Sequence, residues 1–316
     1  MRRTMLLVVV SLVVVVVAGA GYACPSSVRD TQGALPAPCA VAAGTATGTR
    51  ASLSFVRGSS VLLASADGSR ISTVLRGRGT DDAIWWYDPA WSRDGRCLAA
   101  SFGSYPYQSH EYVDVVVKRG TQKPITMEGG ESTENGSPSW SPDGRRLALV
   151  GYRYIDGGWI HIQGVGSKLD VQLTPDSKPF DDNPAWSPDG SKIAFARTLR
   201  GERRLYVIRP DGRGLKRLTT VTGHNPSWSP DGTRLVFDDG RRIAVINADG
   251  SGLRYLTALS VNVNVNPAWS PHGATIAFSH LASAESELSD IWLMNPNGSN
   301  QRLFVKNGGM SAWKPR

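Results

Sequence analysis

Five segments of this 316-residue chain carry an oxygen-bearing side chain three positions before a tryptophan. Asp88, Ser137, Asn183, Asn225 and Asn266 stand ahead of Trp91, Trp140, Trp186, Trp228 and Trp269. Carboxylate, carboxamide and hydroxyl oxygens are ligands for hard cations. If the fold gathers these positions into a ring, they could hold calcium or hydrogen-bond a ligand. The plainer account is local: an Asx residue before proline initiates a turn leading into a strand. The same residue class doing the same job in each repeat favours that account. The residues just upstream are not uniform: Asp81-Asp82, Glu131 to Glu134, Asp181-Asp182 and Val261 to Asn264 differ in charge and spacing. Variable loops are where binding is grafted onto a scaffold. The candidate ligand- or partner-binding residues are therefore Asp88, Asp182, Asn183, His224, Asn225 and Asn266.

Other chemistry is less well supported. The turn residues Asp94, Asp143, Asp189 and Asp231 tempt an acid–base reading, but each belongs to its own repeat and has a turn-forming role. His110, His161, His224, His272 and His280 show no metal-ligand spacing; His224, directly before Asn225, is the one expected near the candidate mouth. A Gly-x-Ser-x-Gly elbow of a serine hydrolase does not occur. No catalytic residue and no metal ligand is assigned. The runner-up function is a metal-assisted hydrolase or lyase using a central channel.

These residues sit within a repeat. Each tryptophan belongs to a segment such as Asn183-Pro-Ala-Trp-Ser-Pro-Asp-Gly190, and the copies lie 49, 46, 42 and 41 residues apart. A degraded sixth copy, Ser311-Ala-Trp313-Lys-Pro315, follows 44 residues after Trp269. An apolar triplet begins seven residues after each of the first five tryptophans, as in Ile193-Ala-Phe195 and Leu235-Val-Phe237. A second apolar run, an Asp-Gly or Asn-Gly turn and a short last strand complete the unit in several repeats. Four short strands in ~40–50 residues is the period of a propeller blade. A lone blade cannot bury both faces, so blades must stack, with Trp91, Trp140, Trp186, Trp228, Trp269 and Trp313 as anchors between neighbours.

Residues 51–79 hold the later strands of a unit but lack its tryptophan strand, which residues 310–316 supply. The prediction is an all-β, six-bladed propeller of four-stranded blades spanning 51–316, its ring closed by pairing the C-terminal strand with the N-terminal blade.

Ahead of it, Arg2, Arg3 and the apolar run Met5–Ala20 read as a secretory signal or N-terminal membrane anchor over 1–23, with cleavage after Ala23. Residues 24–50, rich in Ala, Gly, Thr and Pro, read as a flexible tether. Three cysteines leave open a lipidated Cys24 with Cys39 paired to Cys97, a Cys24–Cys39 pair, or unpaired thiols. The net charge is +8, and eight Arg or Lys residues fall between Arg197 and Arg217. Such a stretch could meet an anionic surface, or be a solvated blade edge that discourages strand pairing. No nucleic-acid motif accompanies it.

The Pro-x-Trp-Ser-Pro-Asp-Gly repeats resemble those of the TolB-type, WD-like β-propellers, over nearly all of residues 51–316. That resemblance implies an extracytoplasmic protein that binds other proteins or ligands at the cell envelope. A monomeric binding scaffold without a resident cofactor is the expected function.

Overall fold

The computed structural model describes residues 51–77, 84–104, 112–127, 134–152, 158–167, 169–176, 179–286 and 288–315. The predicted signal and tether, Cys24, Cys39, His110, Asp81, Asp82 and residues 131–133 lie outside these. Cys97 is buried and disulfide-bonded.

The alternating apolar pattern builds six four-stranded antiparallel sheets, with no helix among the described residues. Blade 1 comprises β24 (Gly309–Lys314), β1 (Ser52–Arg57), β2 (Ser60–Ala64) and β3 (Ile71–Leu75), in that spatial order. The remaining blades follow the chain. Their innermost strands are β4 (Ile84–Trp91), β8 (Glu134–Trp140), β12 (Phe180–Trp186), β16 (His224–Trp228) and β20 (Val263–Trp269), for blades 2 to 6. The predicted closure is present: β24 runs antiparallel to β1, with Trp313 opposite Leu53 and Ser311 opposite Phe55. The Ser54 hydroxyl adds a bond to the Ala312 carbonyl at 3.0 Å.

The core is a set of six seams rather than one centre. Each buried cluster draws on two neighbouring blades and holds one of the repeat tryptophans. Between blades 4 and 5, for example, Ala196, Leu205 and Val207 pack with Trp228, Leu235 and Phe237. Trp140, Trp186 and Trp269 occupy the equivalent seams, and Trp313 and Trp91 the two seams flanking blade 1. The apolar triplets supply the second strand of each blade, and Phe55, Phe195, Phe237 and Phe278 are fully buried there.

The indole N–H groups add directional bonds between blades. Trp140, Trp228 and Trp313 each donate, at 3.0 Å, to the carbonyl of the alanine preceding the tryptophan of the blade before: Ala90, Ala185 and Ala268. Trp91 donates to the Ser54 hydroxyl of blade 1 at 3.0 Å. These four indoles thus fill a seam and also fix its register, while Trp186 donates to the Gly190 carbonyl of its own turn.

The Ser-Pro-Asp-Gly turns close the opposite end of the innermost strands. In each, the serine hydroxyl donates to the aspartate at 2.6 Å and the glycine N–H returns to the serine carbonyl. The Asp189 and Asp231 carboxyls are thereby pulled down to about 2, first of all by Ser187 and Ser229. Groups held ionised by their own turn are poor proton carriers at neutral pH.

Two outcomes test the seams. Removing residues 308–316 takes away β24 and Trp313, opens two seams, and should lower the thermal midpoint of the whole domain in one cooperative step; an unchanged midpoint would refute closure. Trp228→Ala should destabilise by about 3–5 kcal/mol in denaturant melts, the range for emptying a buried aromatic site.

Candidate functional site

The six innermost strands surround a central channel of about 1380 Å³. Successive segments of each repeat line it from end to end. The Ser-Pro-Asp-Gly end carries a proline ring, Pro142, Pro188, Pro230, Pro271 and Pro315, in which Arg93 takes the sixth place. Arg93 donates to the Pro188 carbonyl, two blades away, at 2.9 Å. The tryptophans occupy the middle. The opposite mouth is formed by Asp88, Ser137, Asn183, Asn225 and Asn266, with Met310 as the sixth member, from blade 1.

Local backbone geometry explains this ring. All six residues have positive φ, between 44° and 53°. The sequence suggested a turn before the strand; instead each is a bulge within the strand. Pairing jumps from Tyr87 to Ala90, from Asp182 to Ala185 and from His224 to Ser227, with matching shifts in the other blades. Asn and Asp tolerate this left-handed backbone better than other residues with a side chain, which accounts for their recurrence before proline. The bulge turns their side chains toward the channel. Met310 escaped the sequence reading because its repeat lacks the proline; its position three before Trp313 was the available sign.

Behind the ring lies a partly buried polar shell. Arg203, on β14 (Glu202–Ile208) of blade 4, pairs with Asp182 and donates to the Asn183 Oδ1 at 3.0 Å. Asp238, on β17 (Arg234–Asp238) of blade 5, accepts from the Asn225 Nδ2 at 2.8 Å. It also accepts from the Asn266 N–H of the next blade and from the Gly240 N–H, each at 3.0 Å. Asp88 accepts from the Ser137 hydroxyl at 2.8 Å.

Burial raises the carboxyls of Asp88, Asp182 and Asp238, the latter two to about 6, with Arg203 and the Asn225 amide respectively opposing the rise. Tyr152 lies in the same shell, and burial and Asp182 hold its hydroxyl protonated. Burial and Arg203 push His224 down to about 4, so its ring is neutral at pH 7.

Of the six candidates, Asp88, Asn183, Asn225 and Asn266 line the channel. Asp182 and His224 do not; each stands one residue upstream of the bulge, and Asp182 joins the shell behind the ring, where it shares Arg203 with Asn183. Asp238, Arg203 and Tyr152 were missed. The basic stretch divides: Arg197 is buried in a two-pronged pair with Asp181, at 2.6 and 2.7 Å, and Arg203 turns inward. Arg200, Arg209, Arg213, Lys216 and Arg217 are exposed. His161 bonds Asp170 and Asn135, and His280 bonds Asn264. Among the described residues, no three His, Cys, Asp or Glu side chains come together as a metal site.

Comparison with known proteins agrees with this geometry. The family model for the TolB beta propeller domain matches residues 53–316. The chain belongs to that family. Along 89 residues it is 36% identical to the Tol-Pal system protein TolB of Alcanivorax borkumensis; the match spans 28% of this chain and 18% of that protein. TolB of Acinetobacter baumannii superposes with a TM-score of 0.67 at 18% identity, over 84% of this chain and 67% of that one. The putative TolB of Agrobacterium tumefaciens gives 0.64 at 19%, over 84% and 98%. A chain of a nidogen/laminin complex reaches 0.65 at 10% identity, over 84% and 98%. Likeness at such low identity concerns the propeller fold alone.

The shell should leave a mark on the pH dependence of stability. Unfolded, His224 takes up a proton near 6.5; folded, it does so only near 4. Between these values the unfolded state holds more protons, so this residue's contribution to stability falls as pH is lowered. Asp182 and Asp238 act oppositely, keeping protons in the fold up to about 6 that the unfolded chain releases near 4. His224→Gln should therefore melt near the wild-type temperature at pH 7.5 and a few degrees above it at pH 5. A difference that does not grow on acidification would contradict the assigned environment.

Proposed function

We propose that this chain is an extracytoplasmic binding scaffold that holds a protein or small ligand at the cell envelope. The working surface is the channel mouth formed by Asp88, Asn183, Asn225 and Asn266. The observation that carries this reading is the contrast between the two ends of the channel. The far end repeats nearly one turn, whereas the mouth carries Asp, Ser, Asn and Met in one ring, with Arg203 behind Asn183 and Asp238 behind Asn225 and Asn266. A uniform end is explained by folding alone, and a differentiated one is where a fold carries function. Membership of the TolB propeller family and the name of its Tol-Pal relative support an envelope setting. Arg2, Arg3 and the Met5–Ala20 run support export.

The scaffold works as a monomer. The exposed part of the basic stretch, from Arg209 to Arg217, offers a secondary contact to anionic envelope components. No observation favours the hydrolase or lyase alternative.

Two measurements test this. Asn183→Ala with Asn225→Ala should reduce capture of envelope partners by the secreted protein at least tenfold with the melting temperature kept within a few degrees. Charge reversal at Arg209, Arg213 and Arg217 should change capture little. The opposite pattern would move the working surface to the edge of blade 4. Mass spectrometry of the exported protein should find a mature start at or near Cys24; a retained Met1 would make the apolar run an anchor.

A further inference from the structure

Resting on the proposal that this mouth binds, we infer that it recognises a neutral amide group, the peptide unit of an extended segment or a side-chain carboxamide, and discriminates against ions of either sign. The inference comes from the two asparagines of blades 4 and 5, whose orientations are dictated by what stands behind them. Arginine can only donate, so Arg203 draws the Oδ1 of Asn183 to itself. The Nδ2 is left as a donor with no partner among the described residues. Asp238 is ionised at neutral pH and accepts, so it draws in the Nδ2 of Asn225 and leaves its Oδ1 as a free acceptor. Neither free atom is among the buried unsatisfied ones, and both residues line the channel; the free ends therefore meet the channel space.

Neighbouring blades thus offer one donor and one acceptor. An amide answers both: its carbonyl accepts from Asn183 and its N–H donates to Asn225. A carboxylate would satisfy Asn183 but confront the Asn225 oxygen, with the Asp238 carboxyl behind it. An ammonium would satisfy Asn225 and confront the Asn183 NH2 with Arg203 behind it. Unpaired polar groups in a partly desolvated mouth are the strongest source of such discrimination.

The rest of the mouth suits a peptide. Blade 1 lies opposite blade 4 in the six-membered ring, and its member is the thioether of Met310, an adaptable apolar surface. On the same end, in the loops leading into β20 and into β22 (Asp290–Met294), Leu259, Val261 and Leu288 are 66%, 73% and 66% exposed. A segment with an amide in the mouth and an aliphatic side chain toward Met310 and blade 6 fits both features. Arg203 and Asp238 act as positioning residues that set the polarity of the ring without touching the ligand.

The test is a titration of the 15N-labelled full chain followed through the side-chain NH2 resonances of Asn183 and Asn225. N-acetyl-leucinamide should shift both in a saturable manner at millimolar concentration. Isovalerate, a carboxylate with no amide, and isoamylammonium, an ammonium with no amide, should bind at least tenfold more weakly. Arg203→Lys, which keeps a donor behind Asn183, should retain the preference; Arg203→Met should lose it. Equal or tighter binding of either ion, or no shift from any of the three probes, overturns the inference. If the probes fail while Asn183→Ala still reduces partner capture, the binding face stands and the amide polarity is wrong.

Discussion

The insertion of one tryptophan per blade into the seam with its neighbour is the interaction on which the molecule depends. A four-stranded sheet of this size has two apolar faces and no core of its own. The large apolar area of an indole makes a seam worth closing, at roughly 25 cal/mol per Å² buried. In three of the seams its N–H, given to the alanine carbonyl of the blade before, also fixes how far the seam slides. Six seams exhaust the apolar faces only when the ring closes, so the contribution of each blade depends on all the others.

The same strand that carries the tryptophan also makes the mouth. Three residues upstream, the backbone passes through a left-handed bulge, and one side chain per blade is turned toward the channel. The seam thus sets the radius at which these side chains stand, and the bulge sets their direction. What differs between blades comes from the second and third strands: Arg203 in blade 4, Asp238 in blade 5, and in blade 2 the Ser101 hydroxyl that accepts the Ser137 N–H of blade 3. Function in this architecture is a matter of small asymmetries behind a nearly symmetric ring.

This division explains what could be read from the sequence. The fold was legible because tryptophan, proline and glycine recur in register, and the closing blade because residues 51–79 and Trp313 are complementary halves of one repeat. Four of the six candidate residues lie on the channel for the same reason: they are part of the register. The shell was not legible. Asp238 stands on a different strand from the asparagines it holds, 13 residues from Asn225 and 28 from Asn266. Arg203 sits among arginines that share its chemistry, and only the pairing of blade 4 shows that it and Arg197 turn inward while Arg200 does not. Asp182 looked like a channel residue because it adjoins Asn183. It stands behind the ring instead, holding the arginine that also holds Asn183, and no composition argument reveals that without the bulge.

The joint between β1 and β24 has a temporal side. Ser54 and Ala312, bonded across that joint, are 258 residues apart in the chain. Until the later partner has emerged, β1 presents an unpaired edge and blades can dock only in a line, with an apolar face open at each end. Pairings so distant in sequence are slow to form and expose sticky intermediates meanwhile. Closing β24 onto β1 is therefore the step that loop-closure entropy opposes most. A chaperone or a crowded neighbour has its longest opportunity to act just before that step.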